Sequence, residues 1–357
     1  MKLSVALASY NGAEFIGQQL RSIAEQTRPP DELVVADDGS TDTTIRIVEE
    51  FSRTAAFRVV IDAHGLRLGF NENFARAIGQ CTGDVVALSD QDDVWLPGKL
   101  GTCLTEFADP SVMGVAHGIR LVDRELKPLG LELQTDMGRT DCNVFTCDPL
   151  FTIAGMSLLF RREQLAPWLA SQRPESKWWP IPAVFDEFLF FLATICGRVI
   201  LLPEVYVLWR RHEAAASSVE SGHTVAQAHA PAYQRSLAWG AGSSGYTRMA
   251  DVASTRAAFA QRMLNEPLNG AAIPVAGAVE HYLRFERTYR RRSRLYSPDR
   301  SRPGRIASLV AMALGGEYRG RTYGGLGMKS LLKDGYQTMF GLRKNTPTPH
   351  SDGRSDG

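Results

Sequence analysis

The stretch Asp84-Val85-Val86-Ala87-Leu88-Ser89-Asp90-Gln91-Asp92-Asp93-Val94-Trp95-Leu96-Pro97 decides the fold. Its first part, Asp84–Leu88, is a short apolar run that reads as a buried strand. The strand ends in a turn carrying Asp90, Asp92 and Asp93. Carboxylates so close together repel one another and cost stability unless a cation or hydrogen-bond donors neutralise them. At the carboxyl end of a strand, such a cluster suits a hard divalent cation held by one or two carboxylates plus substrate phosphates. The ordinary alternative is a solvated acidic turn that caps the next helix. Its place after a buried strand, and the Val94–Pro97 segment behind it, favour the site.

Working outward, the first half of the chain alternates short apolar runs with amphipathic segments. Strands are expected at Leu3–Ala8, Leu33–Ala36 and Phe57–Ile61. Helices are expected at Glu14–Gln26 (Phe15, Leu20 and Ile23 inward), after Ser40-Thr41-Asp42, and at Asn71–Gly79. This alternation, with near-continuous apolar strands, predicts an α/β fold whose parallel sheet is covered on both faces. Sheets of this kind bind ligands at the carboxyl ends of their strands. Further strands are expected at Met113–His117, Thr152–Phe160 and Val199–Leu202, a polar loop at Leu131–Asp148, and a helix over Ala183–Cys196.

Four more clusters carry possible chemistry, and the first of them also lies where the sheet rule wants it. Asp37-Asp38-Gly39-Ser40 follows the second strand. Either carboxylate there can accept from a nucleotide base N–H, or the segment is a helix cap with a turn glycine. Ser9, Tyr10 and Asn11 end the first strand beside it, with Tyr10 offering a ring to a base or simply packing. Asp186 and Glu187 open a helix that is otherwise apolar. Greasy surroundings raise a carboxyl pKa toward that of a general base, whereas acids at a helix start also occur merely because they favour its positive end. Trp209-Arg210-Arg211-His212 offers forked donors for a diphosphate and an imidazole for a metal or phosphate, or an ordinary solvated edge.

The 357 residues, 44% hydrophobic and 22% charged, suffice for one large core or for a domain plus a smaller one. A formal net charge of +1 and a pI near 7.7 argue against a nucleic-acid partner. Cys81, Cys103, Cys142, Cys147 and Cys196 are scattered without a C-x-x-C pair. A disulfide framework is therefore not expected, and a reducing compartment is. The apolar run after Met1 is too short for a secretory signal. Phe188–Leu202 is interrupted by Gly197-Arg198, so a soluble, cytoplasmic chain is expected.

Taken in order, these motifs resemble the family 2 glycosyltransferases of GT-A fold, and within them a rhamnosyltransferase-like branch. The resemblance rests on Ala8–Gly12, Asp37–Asp42, Leu68-Gly69-Phe70 with Asn73-Phe74, Ser89–Pro97, Ile153–Met156, Asp186 and Trp209–His212. It covers roughly residues 1–215. What it implies is an inverting transferase moving a sugar, rhamnose being the branch's example, from a dTDP- or UDP-sugar to an acceptor hydroxyl. The acceptor would be a glycan or lipid-linked glycan of bacterial surface polysaccharide or lipopolysaccharide synthesis. Asp186 would be the base, with Glu187 the alternative because the acidic pair is reordered here. Asp90, Asp92 and His212 would hold Mg²⁺ or Mn²⁺. Ser9, Tyr10, Asn11, Asp37, Asp38, Asn73, Asp90, Arg210 and Arg211 would line the nucleotide-sugar site. Two other readings use similar parts: a binding module that has lost catalysis, and a sugar-phosphate nucleotidyltransferase. The second would want a basic, glycine-rich loop after the first strand, and Ser9–Gly12 has no lysine or arginine.

Beyond a catalytic domain over 1–215 come an Ala-, Ser- and His-rich linker over 216–232 and a basic, mostly helical region over 233–343. A short polar tail expected to be disordered follows over 344–357. Within the helical region, Arg302–Leu314 is amphipathic. It is expected either to pack its apolar side on the catalytic domain, the commoner use, or to make a peripheral contact with the inner face of the membrane.

Overall fold

The computed structural model describes residues 1–63, 65, 67–136, 138–147, 151–176, 183–212, 242–266, 275–319 and 326–340. The expected linker over 216–232 and tail over 344–357 lie outside the described residues. The sheet is built from β1 (Leu3–Ser9), β2 (Glu32–Asp37), β3 (Arg58–Ala63), β4 (Val85–Asp90), β5 (Val94–Trp95), β6 (Val112–Val122), β7 (Pro128–Leu133), β8 (Thr140–Cys142), β9 (Leu159–Arg161) and β10 (Arg198–Arg210). Its order is β3-β2-β1-β4-β9-β6-β10-β5, with β7 against β6 and β8 against β10. The long pairings, β1 with β2 and β4, β2 with β3, and β6 with β10, are parallel, and the short ones are antiparallel.

Helices α1 (Ile16–Ala24), α2 (Thr44–Ser52), α3 (Phe70–Gln80), α4 (Lys99–Glu106), the single turn α5 (Arg162–Leu165) and α6 (Phe185–Cys196) flank the sheet. The strands are apolar throughout because alternate residues serve opposite faces. Ala6, Val34, Val86 and Leu88 meet α3 and α6 on one side. Leu3, Val5, Val35, Val85 and Ala87 meet α1 and α4 on the other. The GT-A expectation of an α/β sheet flanked by helices, with a helical C-terminal region, is met.

That region comprises α7 (Ser243–Asn265), α8 (Val275–Leu295), α9 (Arg302–Leu314) and α10 (Gly327–Phe340). The first two pack on α6: Phe259 meets Phe188 and Phe191 edge-on, and Tyr282 meets Phe191. A buried ion pair, Arg256 to Glu187 at 2.7 Å, joins α7 to α6. No described helix is long and apolar enough to cross a membrane.

Several expectations are corrected. The strand expected at Thr152–Phe160 is instead extended chain, a 3₁₀ turn at Gly155–Ser157 and the three-residue β9. The backbone groups of the turn are taken by side chains, Gln134 and Lys99 among them, rather than by a ladder. The loop expected at Leu131–Asp148 contains the end of β7 and all of β8, which take their stability from pairing with β6 and β10 rather than from their own polar sequence. The short strand expected at Val199–Leu202 continues to Arg210. The register shifts between Leu202 and Val205, where Pro203 lacks a donor, and pairing then resumes. Cys142 and Cys147 form a disulfide across a short loop, contrary to the expectation of unpaired thiols, while Cys81, Cys103 and Cys196 are free and buried. The apolar side of Arg302–Leu314 does not pack on the catalytic domain: Ile306, Val310 and Leu314 are exposed.

Candidate active site

The carboxyl ends of β1, β2 and β4 bring the first three motifs together. Gln91 ties the loop after β4 to the loop after β1: its Oε1 accepts from the Tyr10 N–H and its Nε2 donates to the Tyr10 carbonyl, both at 2.9 Å. A Cβ at position 12 would stand 2.0 Å from Gln91 Oε1, so a larger residue there would displace the amide that holds Tyr10. Asn11, with φ of 45°, accepts from the Thr41 N–H through its side chain at 2.8 Å and so ties the first loop to the second.

The two aspartates after β2 differ in what they have left to give. Asp37 accepts from the Ser9 hydroxyl at 2.7 Å, the Ser40 hydroxyl at 2.6 Å, and the Gly39 and Ser40 N–H groups at 3.1 and 2.7 Å. Those four bonds fill a carboxylate's acceptor sites, so Asp37 shapes the turn. Asp38 accepts from the Leu68 and Gly69 N–H groups at 2.5 and 2.9 Å and keeps acceptor capacity. Asn73 is buried and donates to the Ser9 and Ala36 carbonyls at 3.3 and 2.9 Å, which makes it a tie between α3 and the strand ends. The Tyr10 ring is covered by the Arg67 guanidinium at 4.1 Å.

The acid loop after β4 is deeply set. Burial, then the charges of Asp92 and Asp186, push the Asp90 carboxyl up to about 7. Burial and its neighbours Asp92 and Asp90 likewise push Asp93 well above the usual carboxylate range. Asp93 Oδ1 accepts from the Arg210 N–H at 3.1 Å, but its buried Oδ2 has no hydrogen-bond partner among the described residues. Asp92 Oδ2 meets His212 Nε2 at 2.9 Å. Asp92 with His212 thus supplies two hard or borderline ligands, although no group of three His, Cys, Asp or Glu among the described residues is placed to hold a metal. An oxygen- and imidazole-bearing loop with an unpartnered carboxylate oxygen fits a divalent cation completed by substrate oxygens, not a closed protein cage.

The end of β10 is less open than its sequence suggests. Arg210 is buried and donates to the Asp92 carbonyl at 2.8 Å and to Gln18 Oε1 at 2.5 Å, so it braces the acid loop from behind. Arg211 lies over the Trp209 ring at 4.7 Å and donates its N–H to the Val122 carbonyl.

Across the sheet, α6 is buried at every position except Asp186. An all-round apolar helix belongs in a core, and the one residue it presents outward is the acid. The Gly155 N–H donates to Asp186 Oδ2 at 3.2 Å, and the Glu187 N–H to Oδ1 at 2.7 Å. Glu187 itself turns inward to Arg256 and to the Ser176 hydroxyl at 2.9 Å. The two candidate bases are therefore separated by geometry: Glu187 is spent in an interhelix ion pair.

Lys99, which the sequence reading missed, links the two halves. It is wholly buried at the start of α4, donates from Nζ to the Met156 carbonyl at 2.7 Å, and lies 3.4 Å from the Trp95 ring centre. Burial pulls its ammonium down to about 7. Lys99 thus joins the segment after the acid loop to the turn that holds Asp186. One signal was available: a lysine in the first turn of a helix opposes the macrodipole and needs a reason to be there.

This arrangement, with a polar loop at the carboxyl end of β1, acidic loops at those of β2 and β4 in a mostly parallel sheet and an acid facing them from α6, is a GT-A glycosyltransferase fold. Staphylococcus aureus TarS 1–349, solved in complex with UDP-GlcNAc, superposes with a TM-score of 0.54 over 87% of this chain and 80% of that one, at 18% identity. At that identity the likeness speaks for the fold alone. Residues 4–166 match the family described as Glycosyl transferase family 2. An uncharacterized glycosyltransferase of Nostoc sp. is 28% identical over 223 residues, 60% of this chain. The dTDP-rhamnosyl transferase RfbG of Shigella flexneri is 35% identical over 98 residues, 26% of this chain. The chain spans 66% of the length of the Nostoc protein and 34% of the Shigella one. The family match thus speaks for residues 4–166, under half of the chain.

Proposed function

We propose that the chain is an inverting hexosyltransferase that moves a sugar from a nucleotide-diphosphate donor to an acceptor hydroxyl, in the cytoplasm, during bacterial surface polysaccharide or lipopolysaccharide synthesis. The observation that carries the reading is Asp186. It is the single outward-facing residue of a buried helix, it is held by the Gly155 N–H, and it lies close enough to the acid loop for its charge to raise Asp90. Rhamnose is the sugar we favour, supported by the partial likeness to the Shigella enzyme.

In this reading Asp186 takes the acceptor's hydroxyl proton as that oxygen bonds to the anomeric carbon. The bond from that carbon to the diphosphate oxygen breaks on the opposite face, through an oxocarbenium-like state, and configuration inverts. Asp38, with acceptor capacity left, receives the base N–H. Arg211 supplies forked donors toward the diphosphate. Asp92 and His212, with Asp90 beside them, would hold Mg²⁺ or Mn²⁺, which when bound neutralises charge on the leaving diphosphate. Asp37, Asn73 and Arg210 act at one remove, by shaping the loops.

The test pairs turnover with donor binding. Asp186→Asn is expected to lower turnover by about 10²–10⁴-fold while the thermal shift produced by a UDP-, dTDP- or GDP-sugar with Mn²⁺ is kept and is lost in EDTA. Full turnover by the variant would remove Asp186 as base. No shift with any donor would favour a module without transfer activity.

A further inference from the structure

The last two helices invert the usual partition of side chains. In α9, Ile306, Val310 and Leu314 recur at four-residue spacing and are 44, 50 and 80% exposed, while only Met312 is buried. In α10, Met328, Leu332, Tyr336 and Phe340 keep the same spacing and are 62–72% exposed, while the buried positions are the polar Asp334 and Thr338. The two helices lie antiparallel: Leu309 approaches Gly335, and the Arg302 guanidinium donates to the Met339 carbonyl. An exposed stripe repeated on two adjoining helices is larger than the scattered apolar residues of an ordinary surface.

Charge indicates what covers it. Asp334 is the only acid in either helix, and it is fully buried and bound by Arg292, Tyr296 and Tyr318. The charges left toward solvent are cationic: Arg302 and Lys329 exposed, Arg305 and Lys333 half-buried. We propose that the outer faces of α9 and α10 seat the protein on an anionic lipid bilayer. An apolar stripe with aromatic members and basic neighbours sinks into the headgroup boundary, where lipid phosphates complement its cations. A second copy meeting the same face would bring two cationic surfaces together with no exposed acid on either helix to pair them. This inference stands apart from the transferase reading, because none of these residues belongs to the site.

The experiment is flotation of the full-length protein with vesicles of phosphatidylcholine alone and of phosphatidylcholine mixed with phosphatidylglycerol. Flotation is expected with the mixed vesicles only, and less of it in high salt. Val310→Glu with Leu332→Glu is expected to lower partition by at least about tenfold, and Lys329→Glu by about fivefold or more. Unchanged thermal midpoints would confirm folding, as expected for exposed positions. Failure of the wild-type protein to float with anionic vesicles overturns the proposal, as does undiminished flotation of both variants. A wild-type dimer that Leu332→Glu splits, with no vesicle binding by either protein, assigns the face to a second copy and also overturns it.

Discussion

Asp334 and Asp93 are both carboxylates with no solvent exposure, and their surroundings are opposite. Asp334 receives Arg292 at 2.9 Å, the Tyr296 hydroxyl at 2.6 Å and the Tyr318 hydroxyl at 2.7 Å, so the end of α8 and the segment after α9 close around it. Asp93 receives one backbone N–H, keeps an oxygen without a partner among the described residues, and sits beside Asp90 and Asp92. A satisfied buried charge fixes one arrangement of its neighbours. An unsatisfied one among like charges lowers stability and is tolerated where a ligand supplies the missing partner. The C-terminal helices therefore use buried charge for architecture, and the acid loop uses it for a site.

Three measurements break or sharpen that contrast. The largest effect is expected at the Glu187–Arg256 pair, which we class with Asp334. Arg256→Met takes the guanidinium from a buried carboxylate and is expected to cost about 3–5 kcal/mol in denaturant unfolding, most of it recovered by adding Glu187→Met. If stability held and turnover fell, Glu187 would belong with the site instead. Lys99→Met comes next. It is expected to lower turnover by about a hundredfold, by loosening the turn that holds Asp186, with a smaller change in stability than Arg256→Met. Loss of stability with normal turnover would place Lys99 among the architectural charges.

The smallest effect is on pH dependence. Burial, then the charge of Arg284, pull His281 on α8 down to about 4 from an ordinary 6.5. Its folded form favours the neutral ring, so its contribution is complete above pH 6.5 and fades as pH falls toward 4. On the sheet side, burial opposes ionisation of Glu32, but hydrogen bonds from Ser4 and Thr82 outweigh it and take the carboxyl down to about 2. That contribution is complete above 4.5 and is lost toward pH 2. Acidification should thus weaken the C-terminal helices before the sheet. Hydrogen exchange across both regions from pH 7 to 3 reads the order, and His281→Gln should flatten the first phase.

Much of the first half was legible because its signals are local. Leu3–Ala8, Leu33–Ala36 and Asp84–Leu88 are apolar runs bounded by turn residues, and their loops carry acids in a recognisable order. What misled was context. Thr152–Phe160 has the composition of a strand, but Gly155 lies against Asp186, and side chains take its backbone groups. Pro203 reads as a stop, yet β10 bulges past it because β6 offers a partner on the far side. Arg210 and Arg211 look equivalent in sequence, whereas one is buried under the acid loop and the other lies over Trp209.

The sequence by itself determined the strand–helix alternation, the acid loop, the place of Asp186 at a helix start and the amphipathic character of Arg302–Leu314. Each of these depends on spacings of a few residues, which periodicity and turn chemistry report directly. Only the tertiary structure decided that Asp37 is saturated while Asp38 is not, that Glu187 turns to Arg256 while Asp186 faces the loop, and that Lys99 joins the two halves. It also decided that the apolar faces of α9 and α10 point outward. Those outcomes depend on partners that are distant along the chain, and the same carboxylate or leucine serves either role until the fold supplies its neighbours.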